Sequence, residues 1–569
     1  MALSLPVEEV TTDVLVIGAG GAGIVSALTC AEGGLSVLLT SKGAIGSGST
    51  FMARGGYAAA TGYPDPKDNP DVYFEDVLKV GYGLNDPELV RVMVRDINPI
   101  TEKLDSWGMD VVRDSNGRLS PKLRPGHSFP RTIHKYDATG PAIINCLRQR
   151  LATESKIRAV SHLMICDLLV ENNTVCAAWG VDVTNSRIVV VRPAITILAA
   201  GGGGQLYTYT DNSKDTVGDG YALAFNAGCQ LIDMEMVEFQ LMVCHPERLM
   251  GYAPNSSSLL MNGGRLYNGL GERFLIKYGI EEANSNRSAR IAAVGRELFS
   301  GNITAHGGVY MDLSSAYSTI EKTNPSVTKV FKNAGLNLSY QPLEMTLGVH
   351  TFLGGVRINK HAETCVSGLL AAGEIAGGIH GANRLPNGAL ADALAFGYRA
   401  GLTAMEKVQS QSGQALALNA RDALPFVEDK VRFYSRELST IKEIRASIRD
   451  LCSKYFAVVR AEDSLNQGLQ KLAALKDGYH KAPSDTILSG NGLTASVEVY
   501  GMLTLAETIA RAALLRRESR GCHFRLDYPT EDKTWLKNIV LTKQADGIAV
   551  DTIDVGDVGR RCDGASGCA

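Results

Sequence analysis

Residues 13–42 read DVLVIGAGGAGIVSALTCAEGGLSVLLTSK, and this stretch decides the fold. The apolar, β-branched run at 13–18 predicts a buried parallel strand. Gly18-Ala19-Gly20-Gly21-Ala22-Gly23 follows as a G-x-G-x-x-G turn. An alanine-rich stretch to about Ala31 then predicts a helix, which Gly33-Gly34 end, and LSVLL at 35–39 predicts the second strand. In that context the glycines let backbone approach a pyrophosphate seated on the positive N-terminus of the helix. The expected fold class is α/β, built on a Rossmann-like dinucleotide site. NAD-binding units usually carry Asp or Glu at the end of the second strand, for the ribose hydroxyls. Thr40-Ser41-Lys42 stand there instead, so the motif alone leaves NAD and FAD both open.

Residues 43–60, GAIGSGSTFMARGGYAAA, form a second loop rich in glycine and hydroxyl groups. A simple dehydrogenase has no need of it, whereas a flavin's isoalloxazine end must also be held by backbone amides. At this point the chain resembles the flavoproteins of the fumarate reductase, succinate dehydrogenase and aspartate oxidase superfamily. Their pattern is Ser-Lys after the second strand, then S-x-T and A-Q-G-G; Ser41, Lys42, Ser49, Thr50, Gly55 and Gly56 match, and Arg54 replaces the glutamine. The resemblance implies FAD as cofactor. Respiratory members carry a histidine that bonds FAD covalently where Ser49 stands, which implies a non-covalent flavin here.

The likeness extends over roughly residues 11–540. HSFPRTIHKYDATG (127–140) resembles a family segment that precedes a helix. In TILAAGGGGQLY (196–207), Ala200 and Gly201 resemble the family strand end that passes the flavin. TVGDG (216–220) offers Asp219 as a cofactor contact. AAGEIAGGIHGANRLPNGAL (371–390) is the most specific match; it implies Glu374 on the ribose hydroxyls and the backbone of Ala389 and Leu390 at the flavin's pyrimidine edge.

In the family, a hydride passes between flavin N5 and a carbon near a carboxylate, and an arginine exchanges the neighbouring proton. Arg287 in NSNRSARIAAVGRE resembles that arginine, and His350 and Arg384 resemble groups that grip one carboxylate. An arginine fork binds a carboxylate bidentately, and positive charge stabilises an enolate-like transition state. The segment that should grip a second carboxylate departs from the family. Q-F-H-P-T is replaced by Glu238-Phe239-Gln240-Leu241-Met242, and Asn262 replaces a glutamate of the proton path. Gln240, Met242 and Asn262 are thus expected to form an uncharged, partly apolar pocket wall, ill suited to an unpaired carboxylate. The leading expectation is an oxidoreductase acting on a C–C bond beside one carboxylate, a 2-enoate reductase or acid dehydrogenase with the hydride exchanged at the β carbon. The alternative is fumarate reductase, succinate dehydrogenase or L-aspartate oxidase activity, or the flavin subunit of a complex with an iron–sulfur partner.

The 569 residues imply several structural units. Boundaries are expected at 1–234 for the first part of the FAD-binding domain, 235–352 for an inserted α+β capping domain, 353–429 for its second part, 430–525 for a helical domain and 526–569 for a C-terminal segment. Hydrophobic residues at 45% and charged residues at 21% exclude wholesale disorder. A net charge of −3 gives no basic surplus for nucleic acid. The expected partner is instead a small-molecule carboxylate substrate. Eleven cysteines form no C-x-x-C pair, so neither a resident metal nor an iron–sulfur cluster is expected, and Cys562 and Cys568 read as free thiols. No 18-residue apolar run and no basic-then-apolar start are present, which points to a cytoplasmic chain without a membrane span.

Overall fold

The computed structural model describes residues 5–283, 286–410, 420–484 and 490–558. Cys562 and Cys568 lie outside them. Strand Val7–Ile17 runs parallel to Val37–Ser41 on one side and to Arg187–Leu198 on the other. Ile157–Ser161 adds a parallel strand beyond Val37–Ser41. The long strand Arg187–Leu198 pairs antiparallel with Thr174–Asp182 near its start and parallel with Leu369–Ala371 near its end. Leu163–Glu171 completes the seven strands. A parallel sheet must be covered on both faces, which is why Val14, Leu15 and Val16 are fully buried apolar residues.

Helix Gly21–Glu32 lies buried between this sheet and helix Gly388–Ser410. Small residues allow the close crossing. A Cβ on Gly397 would overlap the backbone of Ala22, and the Ser26 hydroxyl donates to the Gly397 carbonyl at 2.8 Å. The start of the first helix therefore lies against the middle of the second, although about 370 residues separate the contacting positions in the chain.

A second sheet, antiparallel, orders Val237–His245, Leu343–Phe352, Val309–Asp312 and Arg265–Tyr267. It is the frame of the residues expected to cap the flavin. Its edge strand begins one turn after the short strand Leu231–Ile232, which belongs to a third sheet with Gly355–Val356 and the hairpin Lys537–Gln544 and Gly547–Asp554. The hairpin is thus tied to the neck where the capping segment leaves and returns. Residues 537–554 of the expected C-terminal segment are part of that junction. The two strands pair with each other locally, but the strand that ties the hairpin to the neck lies some 300 residues upstream, so local pattern alone does not give that pairing.

Four helices, Ala420–Tyr434, Leu438–Tyr455, Glu462–His480 and Asn491–Leu515, make the helical part. The boundary expected at 430 falls inside the first of them. A buried ion cluster joins these helices to the neck. Arg516, with no exposed side-chain surface, pairs with Glu235 at 2.6 Å, Glu518 at 3.1 Å and Asp233 at 3.4 Å. The Asn538 amide donates to Asp233 at 2.6 Å. A buried charge left single costs several kcal/mol, so the network fixes the relative placement of the parts it spans. No described helix is long and apolar enough to cross a membrane.

Candidate active site

The residues expected at the cofactor gather at the C-terminal ends of the parallel strands. Gly18 takes φ +106°, which a side chain would strain, and a Cβ on Gly23 would overlap the Gly18 carbonyl. The turn is thereby held flat against the helix start at Gly20 and Gly21. Helix Gly21–Glu32 has no side-chain cap of its own; the Gly21 N–H donates to Thr50 Oγ1 at 3.2 Å, so the second glycine loop folds back over the first. Next to Thr50, the Ser49 hydroxyl is buried with no hydrogen-bond partner. A buried hydroxyl normally finds one, and a phosphate or flavin heteroatom would supply it. Gly55 and Gly56 continue this wall beside Asn387 and Ile133. Ala200 and Gly201 end the strand Arg187–Leu198 and lie against Gly220 and Thr216. Ala22 sits in the first turn of one helix and Ala389 and Leu390 in that of its neighbour, so two helix N-termini face the same space. The residues present fit FAD, and Ser49 offers no imidazole for a covalent bond.

Three polar residues expected at the cofactor are otherwise engaged. Lys42 and Asp219 meet each other at 2.8 Å, and Lys42 also meets Glu498 at 3.0 Å. Burial pushes the lysine down, but Asp219 and Glu498 outweigh it and hold the ammonium above its usual range. The Ser41 hydroxyl bonds locally to the Ala44 carbonyl at 3.4 Å. Glu374 accepts the Phe352 N–H at 3.0 Å and packs against Gly202. Its strand lies beyond Arg187–Leu198, whereas an adenosine ribose sits at the end of the second strand, on the other side of Val7–Ile17. Glu374 thus stands on the far side of Val7–Ile17 from the strand end at which that role places a ribose. Burial raises its carboxyl above the ordinary range.

Arg287, His350 and Arg384 come together from three elements. Arg287 opens helix Arg287–Phe299, whose first turn is capped by the Asn286 side chain on Ser288 N–H at 2.9 Å. Arg384 lies in the loop before helix Gly388–Ser410, and His350 on strand Leu343–Phe352. What the two arginines meet is Glu238. Arg384 grips its carboxylate with two parallel bonds, Nε at 3.1 Å and Nη2 at 3.0 Å, and Arg287 Nη1 contacts the same carboxylate. The third Arg384 nitrogen donates to the Leu385 carbonyl at 3.1 Å. Arg287 also donates to Gln240 Oε1 at 2.8 Å. Gln240 Nε2 in turn donates to Asp211 at 2.6 Å and lies 3.1 Å from His350 Nδ1, which is 3.0 Å from Asp211. Burial would raise the Glu238 carboxyl, but Arg287, Arg384 and His350 bring it down to about 2. A narrow cavity bordered by Glu238, Arg287, Asn383 and Cys522 lies beside the group.

The expected pocket wall is corrected in three places. Gln240 does face the arginines, but its strand also delivers a buried carboxylate, so the wall is not uncharged. Met242 is fully buried against Gly348 on the neighbouring strand. Asn262 ends helix Ser256–Met261, where its amide donates to the Ser258 carbonyl at 2.8 Å and satisfies that helix's own terminus. Glu238 was legible as the one acid in the apolar run VEFQLMVC, where a buried charge calls for a partner. Asp211, in a polar loop, carried no such signal.

His245 stands exposed at its strand end and stacks on His306 at 3.7 Å between centroids. Among the described residues no group of three or more His, Cys, Asp or Glu side chains is arranged to hold a metal. Among the described residues the cysteines form no disulfide.

Residues 13–390 match the family model described as FAD binding domain, and residues 445–558 the one described as Fumarate reductase flavoprotein C-term. A fumarate reductase (CoM/CoB) subunit of Methanothermobacter marburgensis is 36% identical over 537 residues, covering 94% of this chain and 97% of that one. An L-aspartate oxidase of Synechocystis is 28% identical over 552 residues, covering 93% and 96%. Mycobacterium smegmatis Sdh1, solved in complex with UQ1, superposes with a TM-score of 0.88 at 28% identity, covering 96% of this chain and 94% of that one. The chain belongs to the FAD-binding flavoprotein superfamily of fumarate reductases, succinate dehydrogenases and L-aspartate oxidases, and is an FAD-dependent oxidoreductase acting on CH–CH bonds.

Proposed function

We propose that this chain is the flavin subunit of a fumarate reductase-type enzyme, which adds or removes hydrogen across a C–C bond flanked by carboxylate and exchanges electrons with a separate iron–sulfur subunit. The observation that carries it is the convergence of Arg287 and Arg384, from opposite sides of the cleft, on one carboxylate. FAD, when bound, supplies a two-electron carrier that gives or takes a hydride. Arg384 orients the substrate by a bidentate grip on carboxylate, and Arg287 stabilises the enolate-like charge and exchanges the proton on the neighbouring carbon. A guanidinium can pass a proton only as a relay that is recharged at once, and that is the part given to Arg287. The sheet carrying His350 and Gln240 covers the reacting atoms and excludes water, which strengthens each of these interactions.

The full-length likeness to a fumarate reductase flavoprotein favours this reading over the 2-enoate reductase placed first on sequence grounds. One observation favours the latter as a second reading. Glu238 and Asp211 set two carboxylates among the cations that would bind a substrate dianion.

The test is an anaerobic titration of the photoreduced protein, followed by flavin absorbance, against fumarate and a panel of α,β-unsaturated monocarboxylic acids. Fumarate as the best oxidant supports the proposal. Reoxidation by monocarboxylates alone overturns it in favour of the second reading.

A further inference from the structure

Glu238 is bound in the way a substrate would be. It accepts two parallel bonds from Arg384, which is the geometry by which a guanidinium recognises a free carboxylate, and it takes Arg287 as well. With one Nη1 N–H also committed to the Leu385 carbonyl, every nitrogen of Arg384 is engaged inside the protein, by three of its five N–H groups. The side chain is nearly inaccessible, at 2% exposure, and Arg384 is at 5%, so water does not screen the pair. Beside it, Asp211 opposes His350. Two cations, Arg287 and Arg384, thus face two acids, Glu238 and Asp211, and the formal charge of the group is zero before any substrate arrives.

We infer that Glu238 is a specificity-determining residue, an internal carboxylate that competes with the substrate's carboxylate for Arg384 and Arg287 and so weakens the binding of dianions most. This rests on the reading of the arginine cleft as the substrate site, and names the group that sets what the cleft accepts. A dicarboxylate must displace Glu238 from the fork or bind beside it. In the first case it loses the strength of the internal pair, and in the second it meets like charge at close range. A monoanion meets the same obstacle with half the charge. Because the arginines hold the Glu238 carboxyl down to about 2, it stays ionised and competes throughout the neutral range.

The alternative is that Glu238 only positions the arginines. In that case its removal disorders the fork and weakens carboxylate binding. The two roles predict opposite signs.

The test uses the FAD-loaded protein and malonate, a dicarboxylate with no C=C bond to reduce and no CH–CH pair to oxidise, read by the perturbation of the oxidised flavin spectrum. Glu238→Gln keeps the length and an acceptor oxygen but removes the charge. Malonate should bind this variant about tenfold or more tighter than the native protein, with a smaller gain for acetate. The KM for fumarate should fall in step, whatever happens to kcat. Glu238→Ala is the second variant, in which acetate itself should fill the vacated place and block malonate. Unchanged or weaker malonate binding in Glu238→Gln overturns the inference. Since malonate reports binding without turnover, native protein that ignores fumarate while Glu238→Gln gains malonate affinity would defeat the proposed function and leave this inference standing.

Discussion

The cofactor cradle and the arginine cleft face the same space, yet they are built on opposite principles. The cradle is made of backbone: the Gly18–Gly23 turn, the Gly55-Gly56 wall and two helix N-termini, with close approach secured by missing side chains. The charged residues near it, Lys42, Asp219 and Glu498, satisfy one another. The cleft is made of side chains: Arg287, Arg384, Glu238, Gln240, Asp211 and His350 form one hydrogen-bonded chain contributed by several segments. Holding a cofactor that never leaves favours rigid geometry. Choosing among small acids favours charges that can be re-dealt by one substitution.

The largest effect should come from breaking the cradle's geometry. Gly23→Val drives a side chain into the Gly18 carbonyl, so the variant should lose its FAD almost completely. The ratio of flavin to protein absorbance on purification checks this, and a variant that stays yellow breaks the contrast between the regions. Next comes the cleft. Arg384→Ala leaves Glu238 buried with one partner, which should destabilise the protein by about 3–5 kcal/mol and lower kcat/KM for carboxylates about 1,000-fold. Thermal unfolding and steady-state kinetics read the two separately, and flavin content should hold.

A smaller effect concerns acid stability. The Glu238 carboxyl lies at about 2 in the folded protein, below its ordinary value of 4.5. A group depressed in this way stabilises the fold above its unfolded pKa, and that contribution is lost as pH falls from about 4.5 towards 2. Glu238→Gln should therefore flatten the fall in unfolding free energy over that range, by an amount of order 3 kcal/mol at most. Unfolding in urea between pH 5 and pH 3 measures it. The smallest effect should be at Asn262, outside the cleft. Asn262→Ala removes one helix-end bond, so turnover should change by less than about twofold and stability by about 0.5–1 kcal/mol. A large loss of turnover would bring Asn262 back into the site.

What was legible in the sequence follows the same divide. The cradle could be read because glycine spacing, strand and helix succeed one another within 30 residues, and each step has a local physical cause. Arg287, His350 and Arg384 could be read by resemblance, since each sits in a recognisable segment. Their relation to Glu238 could not, because it depends on the register of strand Val237–His245 against Leu343–Phe352 and on a loop 146 residues away. The position of Glu374 in the fold was out of reach for a similar reason. A motif names the residue, but strand order decides which end of the cofactor it reaches. The place of the terminal hairpin 537–554 was missed because one of its strands also pairs at the neck of the cap, some 300 residues away.

The central claim is that the arginine cleft is where carboxylate substrates meet the flavin. Its most direct test is a single-turnover experiment, in which photoreduced native protein and Arg287→Ala, matched for FAD content, are mixed anaerobically with fumarate and followed by flavin absorbance. The account predicts prompt reoxidation of the native protein and a rate at least about 1,000-fold lower in the variant. Equal rates in the two proteins would contradict it.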